Sequence, residues 1–443
     1  MSEQKDIPTV SLKEFIKHSL EIVKNPLPFH LDNFEKLGDI FQLNIGFKNS
    51  VFFSRDAALA QYVLQKNQKN YTKSKIQTEN LSKYVGKGLL TSEGELWKTQ
   101  RKLIQPAFHK KQLKYLLESI QESIGAEYRR IEPNEVIDVF PIFNDLAFNT
   151  VAKSLFSSSV KEEYISRLQY ITETAQQMMV KELRQPYLGW WFVASGKIKK
   201  HINLTNEARD ILKTIVNERR ASGKKANDLL DMLLDAKYDD GSSMHEEQLI
   251  DEILILFTAG HETTANTLTF TFQLLAQHPE WQNKIFKELK KLKAQSNSIM
   301  ECLTISKVCQ MVIEESMRLY PPAYFIDRVN ISEDTFNGMN FKVGSNLLFS
   351  VYEIHRHPNL WEDPSAFKPE RFNEGSRKFS SQYFPFGAGS RKCIGNNFAM
   401  FEMVIAVQEL ISKFKIYPHF DTIDITPLIT LKPKNAVLRF EKR

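Results

Sequence analysis

The chain has 443 residues, a length that alone would suggest two or three domains. Its 42% hydrophobic and 25% charged residues are typical of a globular protein. The net charge is +6, but the basic residues are interleaved with acidic ones, so the charge does not indicate a nucleic-acid surface. No run of about 18 apolar residues is present and the first residues are polar, so we expect no membrane span and a cytoplasmic location. Three cysteines are too few for a disulfide scaffold.

The first half of the chain is predicted to be helical after a short β-containing start. FQLNIG (42–47) and SVFFS (50–54) are typical of short strands, and an amphipathic helix is expected from about Asp56 to Lys66. A helical period then dominates to about residue 320. It is interrupted by predicted loops near 85–94, 130–136, 185–197 and 236–244.

The longest predicted helix runs from about His245 to Gln277. It stops before His278-Pro279, because a residue that precedes proline disfavours the helical conformation. At about 1.5 Å per residue, a helix of this length crosses an entire domain.

The last part of the chain changes character after Pro321-Pro322. Short strands are expected at 340–343 and 345–350, then turns, then a helix from about Asn396 to Phe414 and the strand-like ends LITL and AVLRF. Since no linker rich in Pro, Gly or Ser divides the chain, we predict one domain over 1–443, mainly α with a small β-rich part. The predicted β-containing parts are about 40–55, 325–350 and 416–441, and the helical parts are about 56–320 and 396–414.

One cysteine, Cys393, lies in the glycine-rich segment FPFGAGSRKCIGNN (384–397), directly before a predicted helix. The free N–H groups of a helix start and the adjacent Arg391 and Lys392 all favour the thiolate. Glycines let backbone amides approach the sulfur, as a thiolate metal ligand requires. A nucleophile would need a histidine base; none is near in sequence, although a distant one stays open. A structural cysteine in a turn is the other alternative.

A single thiolate with no neighbouring Cys or His favours haem over zinc. The segment FGAGSRKCIG (386–395) resembles the haem-binding loop of the cytochromes P450, F-x-x-G-x-R-x-C-x-G, at every specified position. This resemblance implies the cytochrome P450 fold, with a long central helix over haem b and Cys393 as the thiolate ligand of the iron. It also implies that Phe386 packs beside the sulfur and that Arg391 pairs with a haem propionate. The loop residues assigned to cofactor binding are Cys393, Phe386, Gly387, Arg391 and Gly395.

The predicted long helix contains AGHETT (259–264), with an acid–alcohol pair, Glu262-Thr263, after purely apolar turns. A zinc-protease motif fails because Ala265 stands where its second histidine belongs. Buried polar groups are costly unless they are used, but a polar kink in a core helix is the alternative. The small residues Ala259 and Gly260 would allow close approach to a flat cofactor.

This segment is similar to the P450 pattern A-G-x-[DE]-T-[TS]. The resemblance implies that Thr263 steadies the activated oxygen and that Glu262 helps to relay protons to it. It also places Ala259 at the cofactor.

Glu315 and Arg318 lie three residues apart in EESMRLYPP, and taken alone such a pair is usually a surface salt bridge. The family has E-x-x-R at this separation before its cysteine loop, and a later P-E-R-F segment, here FKPERF (367–372), supplies Arg371. The resemblance implies a structural network of these three residues behind the haem.

Trp97 and Arg101, in LWKTQRKLIQPAFH, lie four residues apart on one predicted helical face. The family uses W-x-x-x-R here to donate to a haem propionate, while a surface amphipathic helix is the alternative. Arg328, in YFIDRVN, is a weaker candidate for the other propionate. HRHP (355–358) is interpreted as a helix end and not as a metal site.

The substrate is expected to be a small, largely apolar organic molecule. Fatty acids, terpenoids and methoxylated compounds are all compatible with the apolar residues that the resemblance places near the iron. The predicted pocket residues are Ile255, Leu256, Ala259, Ala323 and Phe325.

The resemblance implies a monooxygenase that inserts one atom of O2 by hydroxylation or by oxidative O- or N-dealkylation. Because no reductase domain follows the last helix, electrons are expected from NAD(P)H through a separate ferredoxin or flavodoxin and its reductase. A peroxide-driven peroxygenase and a haem sensor or carrier without turnover are the alternatives. We expect a soluble, bacterial-type monomer. The basic residues that could dock the redox partner are Lys98, Lys102, Lys110, Lys111 and Lys392.

Overall fold

The computed structural model describes residues 5–44, 50–157, 160–295 and 298–443, and it is 62% helical. The predicted mainly α class is therefore confirmed. The helices are α1 (Leu12–Lys17), α2 (Ser19–Lys24), α3 (Leu27–Leu37), α4 (Ala57–Gln61), α5 (Ser82–Val85), α6 (Gly94–Ile104), α7 (Lys110–Leu113), α8 (Leu117–Tyr128), α9 (Phe140–Phe156), α10 (Glu162–Arg184), α11 (Gly189–Ala194), α12 (Lys197–Ser222), α13 (Leu229–Asp235), α14 (Glu246–Gln277), α15 (Pro279–Gln295), α16 (Ile299–Ile305), α17 (Lys307–Leu319), α18 (Val351–Ile354) and α19 (Asn396–Lys413).

The strands are short and lie mostly near the two ends of the chain. They are β1 (Thr9–Val10), β2 (Ile40–Asn44), β3 (Ser50–Ser54), β4 (Tyr71–Thr72), β5 (Val136–Asp138), β6 (Phe325–Asn330), β7 (Asp334–Phe336), β8 (Met339–Phe341), β9 (Asn346–Ser350), β10 (Phe414–Pro418), β11 (Asp424–Pro427), β12 (Leu431–Lys434) and β13 (Val437–Lys442).

The described residues divide into two compact units. Unit 1 comprises Met1–Ser74, Glu314–Cys393 and Ile425–Lys432, and unit 2 comprises Lys75–Ile313, Ile394–Asp424 and Pro433–Arg443. The single domain over 1–443 stays a prediction.

Unit 1 is built around a six-stranded sheet in the order β1-β2-β3-β9-β6-β4. Strands β2 and β3 are antiparallel with Phe41 opposite Phe53, and their rings stack at 5.1 Å between centroids. Such aromatic cross-strand pairs stabilise a sheet face. Helix α3 covers this face through Phe34, whose ring lies 5.0 Å from that of Phe41. The sheet therefore gives β6 and β9, which both precede the cysteine segment in sequence, a fixed register.

Unit 2 has a helical core in which α14 contacts α9, and α8 contacts α9 and α19. Stacked rings join α9 to α14, with centroid distances of 4.9 Å for Phe143–Phe272 and 5.2 Å for Phe148–Phe257. Helix α14 spans 32 residues and begins after His245, whose side chain accepts a hydrogen bond from the amide of Glu247. The predicted longest helix is thus confirmed to within one residue at each end.

Several predicted boundaries differ from the structure. Helix α11 lies inside the predicted loop 185–197, because its apolar sequence GWWFVA anchors the turn through the buried Phe192. The predicted strand LITL is mostly a turn, closed by a hydrogen bond from the Leu428 amide to the Thr430 carbonyl (2.8 Å), and only its last residue starts β12. Residues 45–47 of the predicted first strand lie outside the described residues.

No helix among the described residues combines the length and the apolar character that crossing a membrane requires.

Helix α19 carries a buried acid that makes the stability of the protein depend on pH. Glu402 is fully buried in unit 2, and burial raises the pKa of its carboxyl well above the usual value, while the side chain of Thr150 opposes this shift only in part. The folded protein therefore keeps a proton that the unfolded chain releases above about pH 4.5. We expect the free energy of unfolding to fall as pH rises above this value.

Glu402→Gln removes this dependence, since glutamine has no proton to lose. Its stability relative to the wild type is expected to rise by about 1.4 kcal/mol per pH unit, until the pH reaches the folded-state pKa of Glu402. Urea unfolding at several pH values measures the difference. Glu409→Gln on the same helix, where Glu409 pairs with Lys413 at 2.7 Å, is the control. If the difference in unfolding free energy between Glu402→Gln and the wild type does not change with pH, Glu402 is not buried in its neutral form.

Candidate functional site

The cysteine segment forms a closed loop in unit 1. The Cys393 amide donates to the Phe386 carbonyl at 2.9 Å, and the Gly387 amide donates to the Phe384 carbonyl at 3.0 Å. Cys393 itself is exposed, whereas Phe384 is buried. Main-chain hydrogen bonds therefore hold the backbone of Phe386 next to a thiol that faces outwards.

Packing explains why one glycine of this loop is required. Gly389 has φ +70°, and a Cβ there would lie 1.8 Å from the Leu64 carbonyl oxygen in the π-helical turn Tyr62–Lys66. The next amide, of Ser390, donates to Oε1 of Gln68 at 2.8 Å. At Gly387, which was assigned to cofactor binding from the sequence, a Cβ would meet only the Ile326 side chain at 3.9 Å. The glycine that the packing demands is Gly389, which is also the first fixed glycine of the sequence motif.

Two arginines of unit 1 carry positive charge suited to a carboxylate. Arg328 is buried on β6, opposite Leu347 of β9, and its Nη1 donates to the Asp327 carbonyl at 2.7 Å. Arg391 is half-buried in a short 3-10 turn two residues before Cys393.

Glu315, Arg318 and Arg371 meet in unit 1. Arg318 and Glu315 form a two-pronged ion pair at 2.7 and 2.8 Å, and both side chains are 0% exposed. Nε of Arg371 lies 3.4 Å from the same carboxylate. The remaining donors of Arg318 bind three main-chain carbonyls, those of His355, Pro364 and Ala366. The pair is therefore not the surface salt bridge that its spacing alone suggests.

In unit 2, α14 presents the acid–alcohol pair on a partly open face. The Thr263 hydroxyl donates to the Ala259 carbonyl at 2.9 Å, so its oxygen keeps lone pairs for a further donor. Ala259 is exposed and Glu262 is half-buried, while His261 is a core residue bonded to the Phe257 carbonyl.

Gly260 does not serve the purpose predicted for it. A Cβ at Gly260 would lie 3.0 Å from the side chain of Val151, so this residue faces helix α9. Of the two small residues, only Ala259 lies on the exposed face of α14.

Two carboxylates fasten the predicted loop near 85–94 to α14, an attachment that was not predicted from the sequence. Glycines at 86 and 88 bring this loop so close that a Cβ would meet Asp251 at 2.1 Å and Glu252 at 2.6 Å, respectively. Asp251 accepts from the Lys87 amide at 2.8 Å, and Glu252 accepts from the Leu89 amide at 2.9 Å. The amides of this loop and the acids that bind them are 164 and 163 residues apart in sequence. No local sequence pattern therefore predicts this attachment, and only the structure shows it.

Helix α6 supplies Trp97 and Arg101 on one face. Trp97 is buried and Arg101 is half-buried, with its Nε donating to Gln105 at 3.0 Å. Gly395, the N-cap of α19, is open: a Cβ there would approach only the Phe108 ring, at 4.0 Å.

The predicted pocket residues have different surroundings. Ile255 is buried on α14 beneath Gly88, Leu256 is half-buried, and Ala259 is exposed on the same helix. In unit 1, Ala323 is exposed and Phe325 packs edge-on against the His30 ring at 5.1 Å. A surface cavity of about 910 Å³ in unit 2 lies between α6 and α13 and does not include the α14 residues.

These residues fit a haem-thiolate iron. The donor is a single exposed thiol at a helix start, and no group of three or more His, Cys, Asp or Glu in the described part of the chain would hold another metal. In unit 2, Ala259 and Gly395 leave open space at their own positions, and Trp97 is a donor suited to a carboxylate. In unit 1, Arg328 and Arg391 are donors of the same kind.

The chain matches the family model "Cytochrome P450" over residues 8–440. The chain belongs to the cytochrome P450 family. Pentalenene oxygenase from Streptomyces avermitilis is 27% identical over 432 residues, which cover 97% of this chain and 95% of that protein. Cyclooctat-9-en-7-ol 5-monooxygenase from Streptomyces melanosporofaciens is 28% identical over 404 residues, covering 90% and 87%.

The P450 fold is confirmed by solved structures. The crystal structure of the cytochrome P450DA heme domain superposes with a TM-score of 0.86 at 20% identity, and it covers 100% of this chain and 98% of that one. The predicted enzyme class is confirmed as well: the chain is a cytochrome P450 monooxygenase.

Proposed function

We propose that this P450 inserts one atom of O2 into a small, largely apolar substrate, by hydroxylation or oxidative dealkylation, with Cys393 as the thiolate ligand of haem b. The observation that supports this most is the exposed Cys393 thiol in a loop whose backbone closes on Phe386 and packs through Gly389. The loop fixes the backbone that carries the sulfur, and a metal ligand requires such a support.

Haem b with a thiolate ligand, when bound, supplies the activation of dioxygen. The charges of Arg391 and Lys392, which are adjacent to Cys393 in sequence, would stabilise the thiolate. Arg328 and Arg391 in unit 1, and Trp97 and Arg101 in unit 2, would bind the propionates. Their charged and indole N–H donors match carboxylate oxygens.

Thr263 and Glu262 would deliver protons to the reacting oxygen. Because the Thr263 hydroxyl donates its hydrogen bond to the Ala259 carbonyl, its oxygen can accept a hydrogen bond from a water and so hold that water as a proton carrier. The half-buried Glu262, one residue earlier on α14, can exchange protons with solvent. Such positioned proton transfer is worth roughly 10²–10⁴ in rate.

Thr263→Val tests this role, since valine keeps the shape and removes the hydroxyl. We expect product formation with O2 and a surrogate reductase to fall about 100-fold or more. Product formation driven by hydrogen peroxide, which already carries protons on oxygen, should change little. Thr267→Val, which removes a similar hydroxyl bonded to the Thr263 carbonyl at 2.9 Å, is the control. Equal losses in both reactions contradict proton delivery by Thr263. A wild type that turns over only with peroxide is a peroxygenase.

Terpenes are the substrate class that we propose first. Ile255 and Leu256 make the face of α14 before Ala259 apolar, and two relatives are bacterial terpene oxygenases. A ligand-induced high-spin shift of the haem absorbance identifies compounds that enter the site. Fatty acids and methoxylated aromatic compounds belong in the same screen.

We propose a ferredoxin or flavodoxin, with its reductase, as the electron donor. In unit 2, Lys98, Lys102, Lys110 and Lys111 are exposed around α6 and α7, although Glu95 and Asp239 pair with the first two. An acidic redox protein would be attracted to such a surface. The monomeric state and the cytoplasmic location stay predictions.

Charge reversal at Lys110 and Lys111 tests the docking surface. We expect Lys110→Glu with Lys111→Glu to slow reduction by an acidic ferredoxin about 10-fold at low salt, with the difference shrinking as ionic strength rises. The matched control reverses Lys287 and Lys291, which are exposed on α15. The same reduction rate in both double variants would place the docking site elsewhere.

A further inference from the structure

His355 connects the buried ion-pair network of unit 1 to the cysteine loop. It caps α18 within HRHP, the segment interpreted from sequence as a helix end, and it is 0% exposed. Its carbonyl accepts from Nη1 of Arg318 at 2.8 Å, and its ring Nε2 lies 2.9 Å from the amide nitrogen of Phe384. One residue thus touches both the network and the start of the loop.

The ring of His355 is a hydrogen-bond acceptor. Burial lowers the pKa of His355 well below its usual value, and the positive charges of Arg318 and Arg356 lower it further. The imidazole is therefore neutral. Since a backbone N–H can only donate, Nε2 accepts from Phe384 and the ring proton is on Nδ1.

The segment that His355 holds is also the segment that closes the loop. The Phe384 carbonyl accepts from the Gly387 amide at 3.0 Å, and the Phe386 carbonyl accepts from the Cys393 amide at 2.9 Å. A shift of residues 384–386 therefore moves the acceptors that fix the backbone at Cys393.

The neighbours of His355 leave its ring little freedom to move. The Tyr383 ring lies 5.0 Å away and tilted by 31°, and the Tyr383 hydroxyl is anchored to the Glu314 carbonyl at 2.7 Å. On another side the Trp361 ring lies at 6.4 Å, with its indole N–H bonded to the Ile354 carbonyl. The acceptor nitrogen is thus pre-positioned by packing, which is what support of a metal ligand requires.

We propose that His355 is a positioning residue for the Cys393 ligand. It joins the rigid Glu315–Arg318 pair to the backbone of the cysteine loop and so fixes the amide environment of the sulfur. This inference rests on the proposed ligation of haem by Cys393. A side chain that merely filled the core would matter through its volume, whereas a positioning residue matters through its acceptor nitrogen.

Two substitutions distinguish the role of the His355 acceptor nitrogen from the role of its side-chain volume. His355→Gln keeps a side-chain acceptor at about the reach of Nε2, and His355→Phe keeps the ring without the acceptor. The readout is the carbon monoxide difference spectrum of the reduced, haem-loaded protein, normalised to total haem. We expect His355→Phe to keep less than about half of the absorbance near 450 nm that reports thiolate ligation, and His355→Gln to keep most of it.

His357→Phe is the matched control. His357 lies two residues away in the same segment, but it contacts Asp39 at 3.1 Å and not the loop, so the spectrum should stay that of the wild type. If His355→Phe does not fold, His355→Asn replaces it, since its acceptor stops about one bond short. This variant should lose more of the 450 nm absorbance than His355→Gln.

Each outcome decides between the two hypotheses. A wild type without the 450 nm band refutes the ligation by Cys393 itself. A normal wild type with no loss in His355→Phe, or with equal losses in His355→Phe and His355→Gln, refutes only the positioning role. If His355→Asn has to be used, a spectrum equal to that of His355→Gln refutes it as well.

Discussion

Replacing Arg318 by leucine is expected to lower the free energy of unfolding by roughly 3–5 kcal/mol, because it leaves the carboxylate of Glu315 buried without its main partner. The pair is 0% exposed on both sides, so water cannot take over the interaction. The substitution also removes the donors that bind the carbonyls of His355, Pro364 and Ala366.

Urea unfolding of the purified protein measures this loss. Arg130→Leu is the control: Arg130 also binds two carboxylates, those of Glu127 and Asp145, but it is 48% exposed. Exposed pairs contribute about 0–1 kcal/mol, so the control should cost little. Similar losses in the two variants would contradict the importance that we assign to the buried network.

Gly389→Ala is expected to be the most damaging single-atom addition in the cysteine loop. Alanine at a positive φ costs about 1–2 kcal/mol at either glycine of the loop, since Gly387 has φ +68° and Gly389 has φ +70°. Only at Gly389 does the new Cβ also meet a main-chain oxygen, that of Leu64 at 1.8 Å. Moving the turn Tyr62–Lys66 to relieve this clash would lower the free energy of unfolding by roughly a further 1–3 kcal/mol.

Gly387→Ala is therefore a matched control with the same strain and no clash. We expect Gly389→Ala to bind substantially less haem per protein than Gly387→Ala, because the new Cβ displaces the loop from its contact with residues 62–66. Haem content and unfolding free energy are measured for both. Equal behaviour of the two variants would show that the contact with Leu64 does not position the loop.

Local patterns predicted the elements that depend on sequence neighbours alone. The long helix α14 and the helix α19 follow from an unbroken apolar period and from stop signals such as His278-Pro279, so their boundaries were right within a residue or two. Helix α11 was missed because its exposed Trp190 and Trp191 and its buried Phe192 form too short a pattern to establish a period.

The candidate site was predictable where its residues share a motif. Arg391 and Cys393 stand in one loop, and Glu315 and Arg318 in one helical turn. The burial of that pair was not predictable, since the partners of Arg318 at His355, Pro364 and Ala366 lie 37, 46 and 48 residues further along the chain. The interpretation of His355 as part of a helix end is confirmed, since it caps α18. Its bond to Phe384 was not predictable, because the two residues are 29 positions apart and share no local pattern.

The carbon monoxide difference spectrum of the wild type and of Cys393→Ala tests the central claim most directly. Thiolate ligation predicts a band near 450 nm in the reduced wild type and its complete loss in Cys393→Ala. Cys302→Ala, which removes a half-buried cysteine of α16, should retain the band. A wild type that binds haem without the band, or a Cys393→Ala variant that keeps it, would contradict Cys393 as the ligand of the iron.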